Sequence, residues 1–291
     1  MTDTITILTS TTDNYLSKAF SGEQYDPFGF KPGSTFTTSA VSVADLDSLV
    51  AILHSLEAEP TKTIIRGSPI TDVNKVVSRT KGQFCSAKRQ WCMVDIDSLA
   101  WDGSDDPKAM LSFAIQQLPS EFQSIDCWYH FSSSMGIKAG IRVHLWFWLD
   151  RPCSDDEMKA WLSGYPVDLR LFDPIQIHLT ANPRFIDGAT DPYPNRSGLF
   201  SAGSGVSTVP VPSDLATRAA TIQAVSKQRS SGKTGLLDPA DIIRDPVTNL
   251  AIDGREQLMF LLSTQVMQQL VTAEHTPSEE EVTAAIFDNV P

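Results

Sequence analysis

The chain has 291 residues, 41% of them hydrophobic, and carries a formal net charge of −12 at pH 7. This length and hydrophobic content are sufficient for one large or two ordinary domains with a sizeable core. The acidic balance argues against a protein that coats nucleic acid through general basicity, although it leaves room for a local basic groove.

The N-terminal part of the chain predicts short strands and one helix. "TITIL" is strand-like and is followed by connections rich in Gly, Ser, Thr and Pro. "SVADLDSLVAILHSLEAEP" has apolar residues at helical spacing, with Ser42 as its N-cap, Asp45 three residues later and Pro60 after its end. "TKTIIRG" then predicts another strand.

The middle of the chain alternates strands and helices. The predicted strands are "QWCMVDID", "SIDCWYHFSS", "IRVHLWFWL" and "PIQIHL". Asp106 and Pro107 begin one predicted helix, and Ser154 forms a capping box with Glu157 at the start of another. Strands interleaved with helices indicate an α/β or α+β domain.

The composition changes after about residue 200. "SAGSGVSTVPVPSD" is typical of a linker, and the final segments have apolar residues at helical spacing. We therefore predict a core domain at 1–205, a linker with a short helix at 206–236 and a helical subdomain at 237–291. "SSGKTG" at 230–235 is not a P-loop, because Lys227 stands where the first glycine is required and no apolar strand precedes it.

The cysteine pattern and the hydropathy indicate the kind of environment in which the protein is expected to occur. Cys85, Cys92, Cys127 and Cys153 form no CxxC pair, so neither a zinc ribbon nor a redox motif is predicted. Three of them lie in or beside apolar strand-like runs, as buried free thiols do in a reducing cytoplasm. No signal-like segment and no apolar run of about 18 residues is present, so we expect a soluble cytoplasmic protein with no membrane partner.

Two aspartates interrupt the apolar strand "WCMVDID". Side chains alternate along a strand, so Asp95 and Asp97 are expected on one face, with Val94 and Ile96 pointing into the core. Like charges side by side repel, unless a cation lies between them. Mg²⁺ and Mn²⁺ prefer oxygen ligands, so the pair predicts a divalent metal site, with a solvated strand end as the alternative.

A turn of small residues lies between two apolar strands in "HFSSSMGIKAGIRVHLWFWLD". Its backbone N–H groups, together with Ser134 and Lys138, are typical of a phosphate cradle. Arg142 and His144, on one face of the following strand, would add charge-assisted donors. The alternative is a hairpin loop beside a hydrogen-bonded strand histidine.

Further charged residues flank these motifs. Asp168 and Asp173 are both candidates for a third metal carboxylate, and Arg184 and Arg196 lie in loops rich in Pro and Gly. The segment before the aspartate strand carries a basic cluster, which is either a solvated loop or a contact for nucleic-acid phosphates. The cluster consists of Arg79, Lys81, Lys88 and Arg89.

Together, "MVDID", the Ser132–His144 stretch, "VD" at 167–168 and "LTANPRF" resemble the archaeo-eukaryotic primase superfamily. The similarity covers about residues 60–200 and is strongest to the primase–polymerase domains of phages, plasmids and other mobile elements. It implies an α+β fold, in which an RRM-like sheet lies beside an N-terminal α/β module. A small helical subdomain would follow this catalytic core.

The resemblance also implies an activity and a set of ligands. The chain would make and extend primers on single-stranded DNA from nucleoside triphosphates by two-metal nucleotidyl transfer, beside a separate replicative helicase. Asp95, Asp97 and Asp168, the last preferred over Asp173, would hold two Mg²⁺ or Mn²⁺ ions. Ser134, Lys138, Arg142, His144 and Arg184 would bind the nucleotide, and the basic cluster would touch the template.

Two alternatives keep a related fold without this chemistry. One is a replication initiator that nicks DNA, which needs a tyrosine beside a histidine pair. Tyr129 and His130 are adjacent, but the sequence has no HxH or HUH pair. The other is a non-catalytic nucleic-acid-binding module, which would not need Asp95 and Asp97 on one face.

Overall fold

The computed structural model describes residues 2–12, 15–28, 35–70 and 75–230, together with residue 278. The strands are β1 (Asp3–Ser10), β2 (Ala19–Ser21), β3 (Asp26–Phe28), β4 (Thr35–Val43), β5 (Lys62–Ile65), β6 (Ser68–Pro69), β7 (Val76–Ser78), β8 (Phe84–Cys85), β9 (Arg89–Leu99), β10 (Cys127–Phe131), β11 (Ile141–Cys153), β12 (Ile177–His178), β13 (Arg184–Ile186), β14 (Ser197–Phe200) and β15 (Thr208–Val209). The helices are α1 (Leu46–Leu56), α2 (Pro107–Gln116), α3 (Asp155–Leu162) and α4 (Leu215–Ser230), and Leu169–Phe172 forms a 3₁₀ turn.

The chain divides into two compact units, Met1–Ser213 and Asp214–Pro291. The first unit contains four sheets and α1 to α3, which confirms the α+β class among the described residues. The second unit contains α4, within the segment predicted to be a linker with a short helix. The predicted helical subdomain at 237–291 lies, except for residue 278, outside the described residues.

The first sheet has the strand order β12-β5-β1-β4-β7, and all of its pairs are antiparallel. The sequence predicted β1, β5 and β12 but missed β4, which pairs with β1 along its whole length. Because β4 continues to Val43, the helix cannot start at Ser42. Asp45 caps α1 instead, accepting a hydrogen bond from the Ser48 backbone, so the predicted Ser42 cap is wrong.

The second sheet has the order β14-β10-β11-β15, with β9 also paired to β11. β9, β10 and β11 are the predicted strands, and α2 and α3 begin at the predicted caps Asp106 and Ser154. β15 pairs with β11 in parallel, so Thr208–Val209 of the predicted linker segment belongs to this sheet. None of the described helices is both long enough and apolar enough to cross a membrane.

A tryptophan-rich core lies between the two sheets. Trp91 and Met93 of β9 and Trp146 of β11 pack with Leu49 and Leu53 of α1, and the same cluster includes apolar residues of β1 and β5. Aromatic side chains bury about 150–250 Å² each, so these contacts supply much of the apolar area that holds the layers together. The core therefore fixes one end of β9 and β11, while the other end of both strands carries the polar residues.

Two arginines are structural residues of this unit. Arg66 is fully buried, and it pairs with Asp155 of α3 at 2.9 Å while donating to the carbonyls of Trp91 and Cys153. Arg89 is also buried and donates to the carbonyl of Arg66 at 2.8 Å. These buried donors join the first sheet, β9 and α3.

Candidate functional site

A polar row crosses the second sheet. Asp95 of β9 lies opposite His144 of β11, His144 lies opposite His130 of β10, and His130 lies opposite Ser197 of β14. Neighbouring strands are about 4.8 Å apart, so these four side chains lie side by side on one face. The row crosses four strands and could not be recognised within any single one of them.

The adjacent row of the same face is apolar. Met93, Trp146, Trp128 and Leu199 occupy the corresponding positions of β9, β11, β10 and β14. Three of them are buried, and Leu199 at the sheet edge is exposed. The apolar row and the polar row are only two residues apart along each strand. Asp95 therefore lies at the boundary between the hydrophobic core and the polar part of this face.

The three preferred carboxylates come together around Asp95. The pKa of Asp95 is raised to about 7, first by burial and then by the charges of Asp97 and Asp168. Asp168 is also joined to β9 through its backbone N–H, which donates to the Asp95 carbonyl at 3.1 Å. Asp173, at the far end of the 3₁₀ turn, pairs with Lys81 at 3.3 Å instead.

A β-bulge sets the position of Asp97. Ile96 pairs with Val143 and Leu99 pairs with Ile141, so Asp97 and Ser98 together face the single residue Arg142. Ser98 has a positive φ of 65°, which is uncommon for a residue other than glycine. A bulge redirects side chains, and Asp97 is accordingly far more exposed than Asp95, at 62% against 23% of the side chain.

Each carboxylate has a cationic neighbour. Arg142 donates to Asp97 and to the Ser98 hydroxyl, and its side chain is 11% exposed. Arg170 donates two hydrogen bonds to the carboxylate of Asp168, from Nε to Oδ1 at 3.1 Å and from Nη2 to Oδ2 at 3.2 Å.

Lys18 is a further cationic neighbour of the site, since its charge lowers the pKa of Asp95 without offsetting the rise caused by burial and the two other carboxylates. Neither Lys18 nor Arg170 belongs to any of the sequence motifs. Arg170 lies two residues after the candidate Asp168, which is the available signal in the sequence. Lys18 is far from every motif, and only the fold brings it near.

His144 is a neutral group of the site. Its Nε2 lies 3.6 Å from Asp95 Oδ1, and its pKa is lowered to about 4 by burial and then by Lys18. The imidazole therefore carries no charge of its own at neutral pH, and a hydrogen bond from it to a phosphate would be assisted by the charge of the phosphate alone.

The neighbouring His130 is held by Asn182, with 2.9 Å between Nε2 and Oδ1. The rings of His130 and His144 are 6.0 Å apart, so the fold forms a histidine pair that the sequence does not show. Tyr129 alternates to the opposite face of β10 and contacts Phe131 there. Tyr129, the candidate for nicking, is therefore not beside this pair.

The small-residue turn is compact and is anchored from outside. Ser134 is buried, and its carbonyl accepts hydrogen bonds from the backbone of Ile137 and Lys138, while Lys138 is exposed. Arg196 holds the start of the turn by donating to the Ser132 carbonyl at 2.8 Å. Ser134 is therefore a framework residue of the turn, and Lys138 is one of its exposed residues.

Arg184 lies on β13, beside the segment that carries Lys18. Its backbone N–H donates to the Lys18 carbonyl at 2.9 Å, and its guanidinium lies 3.5 Å from the ring centre of Tyr15. The aromatic ring limits the positions that this guanidinium can take. Arg184 and Lys18 thus belong to one local framework.

The predicted template cluster does not form one exposed basic surface. Arg79 donates to the Ile175 carbonyl at 2.7 Å, and Lys81 pairs with Asp173. Lys88 is exposed. Arg89 is 4% exposed, so it is a structural residue of the interior and is not available to a template.

The carboxylates fit a divalent metal in chemistry, although the arginines hold two of them. Among the residues that the structure describes, no three His, Cys, Asp or Glu side chains are arranged to ligate a metal ion. Asp97 is paired with Arg142 and Asp168 with Arg170 in this arrangement. Burial is the largest cause of the raised pKa of Asp95, and the charges of Asp97 and Asp168 raise it further; a divalent cation would relieve this second effect.

A comparison with known proteins links the chain to phage DNA replication. It is 26% identical over 204 residues to an Escherichia phage T5 protein named "Putative replication origin binding protein". The alignment covers 62% of this chain and 22% of the phage protein, so the chain matches less than a quarter of that protein's length. No protein-family model matches the chain. No solved structure is significantly similar to it. The similarity is therefore a distant one, to a replication protein of a phage.

Proposed function

We propose that this chain is the catalytic core of a DNA primase–polymerase of a phage or other mobile element. The observation that carries the proposal is the convergence of Asp95, Asp97 and Asp168 at the polar end of β9, next to His144. Three carboxylates in mutual repulsion are costly in an apoprotein, and they suit a site that binds cations during its reaction. The distant similarity to a phage replication protein agrees with this reaction class.

The fold of the second sheet supports the primase-type core. β9, α2, β10, β11 and α3 follow one another along the chain, and β11 lies between β9 and β10. This is the β-α-β-β-α order of the split βαβ motif, on which RRM-like sheets are built. The site then lies on the face opposite Phe147, which packs against Phe122.

The residues of the site have separable roles in this proposal. Asp95, Asp97 and Asp168 would hold two Mg²⁺ or Mn²⁺ ions, which when bound assist attack of a 3′ hydroxyl on the α-phosphate and neutralise the leaving phosphate. The three aspartates have fixed positions on β9 and at the 3₁₀ turn, so they would be oriented as ligands before the substrate arrives.

The cationic and neutral donors of the site would bind the incoming triphosphate. Lys138, Arg142 and Arg184 would contact phosphate oxygens, and His144 would add a neutral hydrogen bond. Ser134 holds the turn that carries Lys138. Lys18, whose charge reaches both Asp95 and His144, would join this set.

Nucleotide incorporation tests the proposal directly. The chain is incubated with single-stranded DNA, labelled nucleotides and Mn²⁺ or Mg²⁺, and the products are resolved on a gel. Wild-type protein should form or extend primers, and Asp95→Asn and Asp97→Asn should abolish incorporation while keeping the fold. Full activity in the double Asn variant would exclude the metal role.

The second candidate is a DNA-binding module that recognises a replication origin without catalysis. The name of the phage T5 relative favours it, as does the pairing of two site carboxylates with arginines. In that case wild-type protein should bind DNA but incorporate no nucleotide with either metal. The two Asn variants should then bind DNA at least as well as wild type, because they lose negative charge.

A further inference from the structure

A small sheet lies beside the candidate site. Its strand order is β13-β2-β3, and β13 pairs with β2 in parallel. Asn182, two residues before β13, is hydrogen-bonded to His130 of the polar row at 2.9 Å. Lys18, the residue before β2, is exposed, and its charge acts on both Asp95 and His144. Because the two strands are parallel, both begin at the same end of the small sheet, and this end adjoins the site.

An aromatic ring and a guanidinium lie at this end. Tyr15 is 37% exposed, and the guanidinium carbon of Arg184 lies 3.5 Å from the centre of its ring. Arg184 Nε is buried and makes no hydrogen bond with any described residue. The cation–π contact therefore positions the guanidinium, and it limits the movement of the ring in turn. We call Tyr15, Lys18 and Arg184 the basic end of the small sheet.

The opposite end of the small sheet is acidic. Asp26 lies opposite Ser21, the last residue of β2. Glu23 and Asp26 are exposed, and so is Asp187, which accepts a hydrogen bond from the Ser21 hydroxyl at 2.8 Å. A polyanion is repelled from this end and attracted to the basic end. The charges therefore direct a bound polyanion towards the candidate site.

Single-stranded DNA is the polyanion that this combination of groups fits. Proteins bind single strands by stacking bases on aromatic rings while cations contact the phosphates. The basic end offers one partly open ring and two cations within one local framework. In a duplex the bases stack on each other, so a ring at the protein surface does not reach their faces. At the site itself, Asp97 and Asp168 are paired with arginines, which limits their repulsion of a strand that ends there.

We propose that the basic end binds single-stranded DNA, with one base stacked on Tyr15 and the adjoining phosphates in contact with Lys18 and Arg184. This inference rests on the proposed function and deepens it, because it states where the DNA strand reaches the site. The sequence instead predicts a template contact at residues 79–89, which the fold does not bring together as one exposed surface. Since extension joins the strand to the incoming triphosphate, the two cations can contact the phosphates of both.

DNA binding in EDTA tests this surface without any metal ion or reaction. Fluorescence anisotropy measures the affinity for an oligonucleotide of about 16 thymidines and for an abasic strand of equal length, which has the same phosphates but no bases. Tyr15→Leu keeps an apolar side chain without an aromatic face, and Tyr15→Phe keeps the ring. Lys18→Gln removes one cation. Lys88→Gln is its matched control, because Lys88 is an exposed lysine of the predicted template cluster.

The ring and the cation should have different effects. Tyr15→Leu should weaken binding of the thymidine oligonucleotide at least about fivefold, equivalent to about 1 kcal/mol of stacking, and should leave binding of the abasic strand within about twofold of wild type. Tyr15→Phe should bind both strands as wild type does. Lys18→Gln should weaken both strands, and it should lower the slope of log affinity against log salt by about 0.7, as expected for one phosphate contact. Lys88→Gln should change neither affinity. Circular dichroism melts establish that each variant is folded.

The difference between the two strands decides the outcome. If Tyr15→Leu weakens both strands equally, or neither, Tyr15 does not stack on a base and the proposal is wrong. It is also wrong if Lys18→Gln has no effect, or if Lys88→Gln weakens binding as much as Lys18→Gln does, because the strand then follows another surface.

Nucleotide incorporation separates this inference from the proposed function. If wild-type protein binds the thymidine oligonucleotide through Tyr15 but incorporates no nucleotide with Mg²⁺ or Mn²⁺, the proposed function fails and the DNA-binding surface stands. If wild-type protein incorporates nucleotides and Tyr15→Leu binds DNA as wild type does, only the DNA-binding surface is rejected.

Discussion

Asp95 and His144 lie opposite each other on neighbouring strands, and the fold moves their pKa values in opposite directions. The pKa of Asp95 rises to about 7 and that of His144 falls to about 4, with burial as the largest cause in both cases. Burial favours the neutral form of each group. Near neutral pH His144 is therefore uncharged and Asp95 is only partly ionised, so the two residues do not form a full ion pair.

The first prediction concerns Asp95 and stability. Its pKa of about 7 in the folded chain lies above the ordinary value of 3.8, so stability is lost as the pH rises from about 4 to about 7. Asp95→Asn is uncharged throughout. In EDTA, it should raise the melting temperature at pH 8, corresponding to roughly 2–4 kcal/mol, and the gain should shrink towards pH 4.

Circular dichroism melts at pH 8, 6 and 4.5 measure this effect. Asp102→Asn, at an exposed position, is the control and should behave like wild type. The prediction is contradicted if Asp95→Asn melts at the same temperature as wild type at pH 8, or if its gain in melting temperature grows as the pH is lowered. Either result would show that ionised Asp95 does not destabilise the fold.

The second prediction concerns His144 and ligand choice. If His144 donates to the triphosphate, His144→Ala should weaken nucleotide binding about tenfold or more, since a buried hydrogen bond is lost, and should leave single-stranded DNA binding nearly unchanged. His178→Ala is the control, because His178 is also buried but donates to the Leu171 carbonyl through Nε2. Calorimetry measures the nucleotide, and fluorescence anisotropy measures the DNA.

A structural role for His144 has a different signature. His144→Ala would then lower the melting temperature and weaken nucleotide and DNA binding in equal proportion, as His178→Ala is expected to do if it affects either ligand. That pattern would remove His144 from the nucleotide site.

The third prediction concerns the buried pair Arg66–Asp155. Removing one member leaves the other charge buried without compensation, which costs about 3–5 kcal/mol. Arg66→Met should therefore destabilise the first unit by about this amount in urea unfolding, and Arg66→Met with Asp155→Leu should recover part of the loss. A cost below about 1 kcal/mol for the single variant would show that solvent reaches the pair.

The arginines also show where sequence reasoning stops. Arg66 and Arg89 are buried structural residues, whereas Lys88, one residue from Arg89, is exposed. In the sequence all three are basic residues near apolar strands, and nothing local distinguishes the buried ones. Their roles depend on contacts with α3 and β1, which lie far away along the chain.

The predictable part of the fold is the part with local signals. The strands β9 to β11 and the caps Asp106 and Ser154 follow from hydrophobic pattern and capping chemistry. β4 was missed because its residues resemble the Ser- and Thr-rich connections around it, and pairing with β1 makes it a strand. Tertiary contacts override weak local preference there.

The sequence predicted the aspartates of the site, together with Arg142 and His144, but it missed two of the cationic neighbours. Asp95 and Asp97 stand out because charges interrupt an apolar strand. The bulge that separates their exposures, and the neighbours Lys18 and Arg170, depend on register and on distant segments. Strand register across β9 and β11 is a property of the whole sheet and has no signature in either strand alone.

The last prediction concerns the second unit and the start of synthesis. Making the first dinucleotide requires two untethered nucleotides to be held on a template, whereas extension adds one nucleotide to a primer already in place. The first task carries the larger entropic demand, and additional binding surface is the usual means of meeting it. All of the described residues of the candidate site lie before Ser213, where the first unit ends. A chain ending at Ser213 should therefore extend a preformed primer at a rate near that of the full chain and should lose most synthesis without a primer.

Gel assays with and without an annealed primer, at equal protein concentration, measure the two activities. The full chain carrying Lys62→Gln serves as a control for altered surface charge. Equal loss of both activities would place part of the reaction machinery in the second unit, and unchanged unprimed synthesis would show that the second unit serves another purpose, such as docking a helicase.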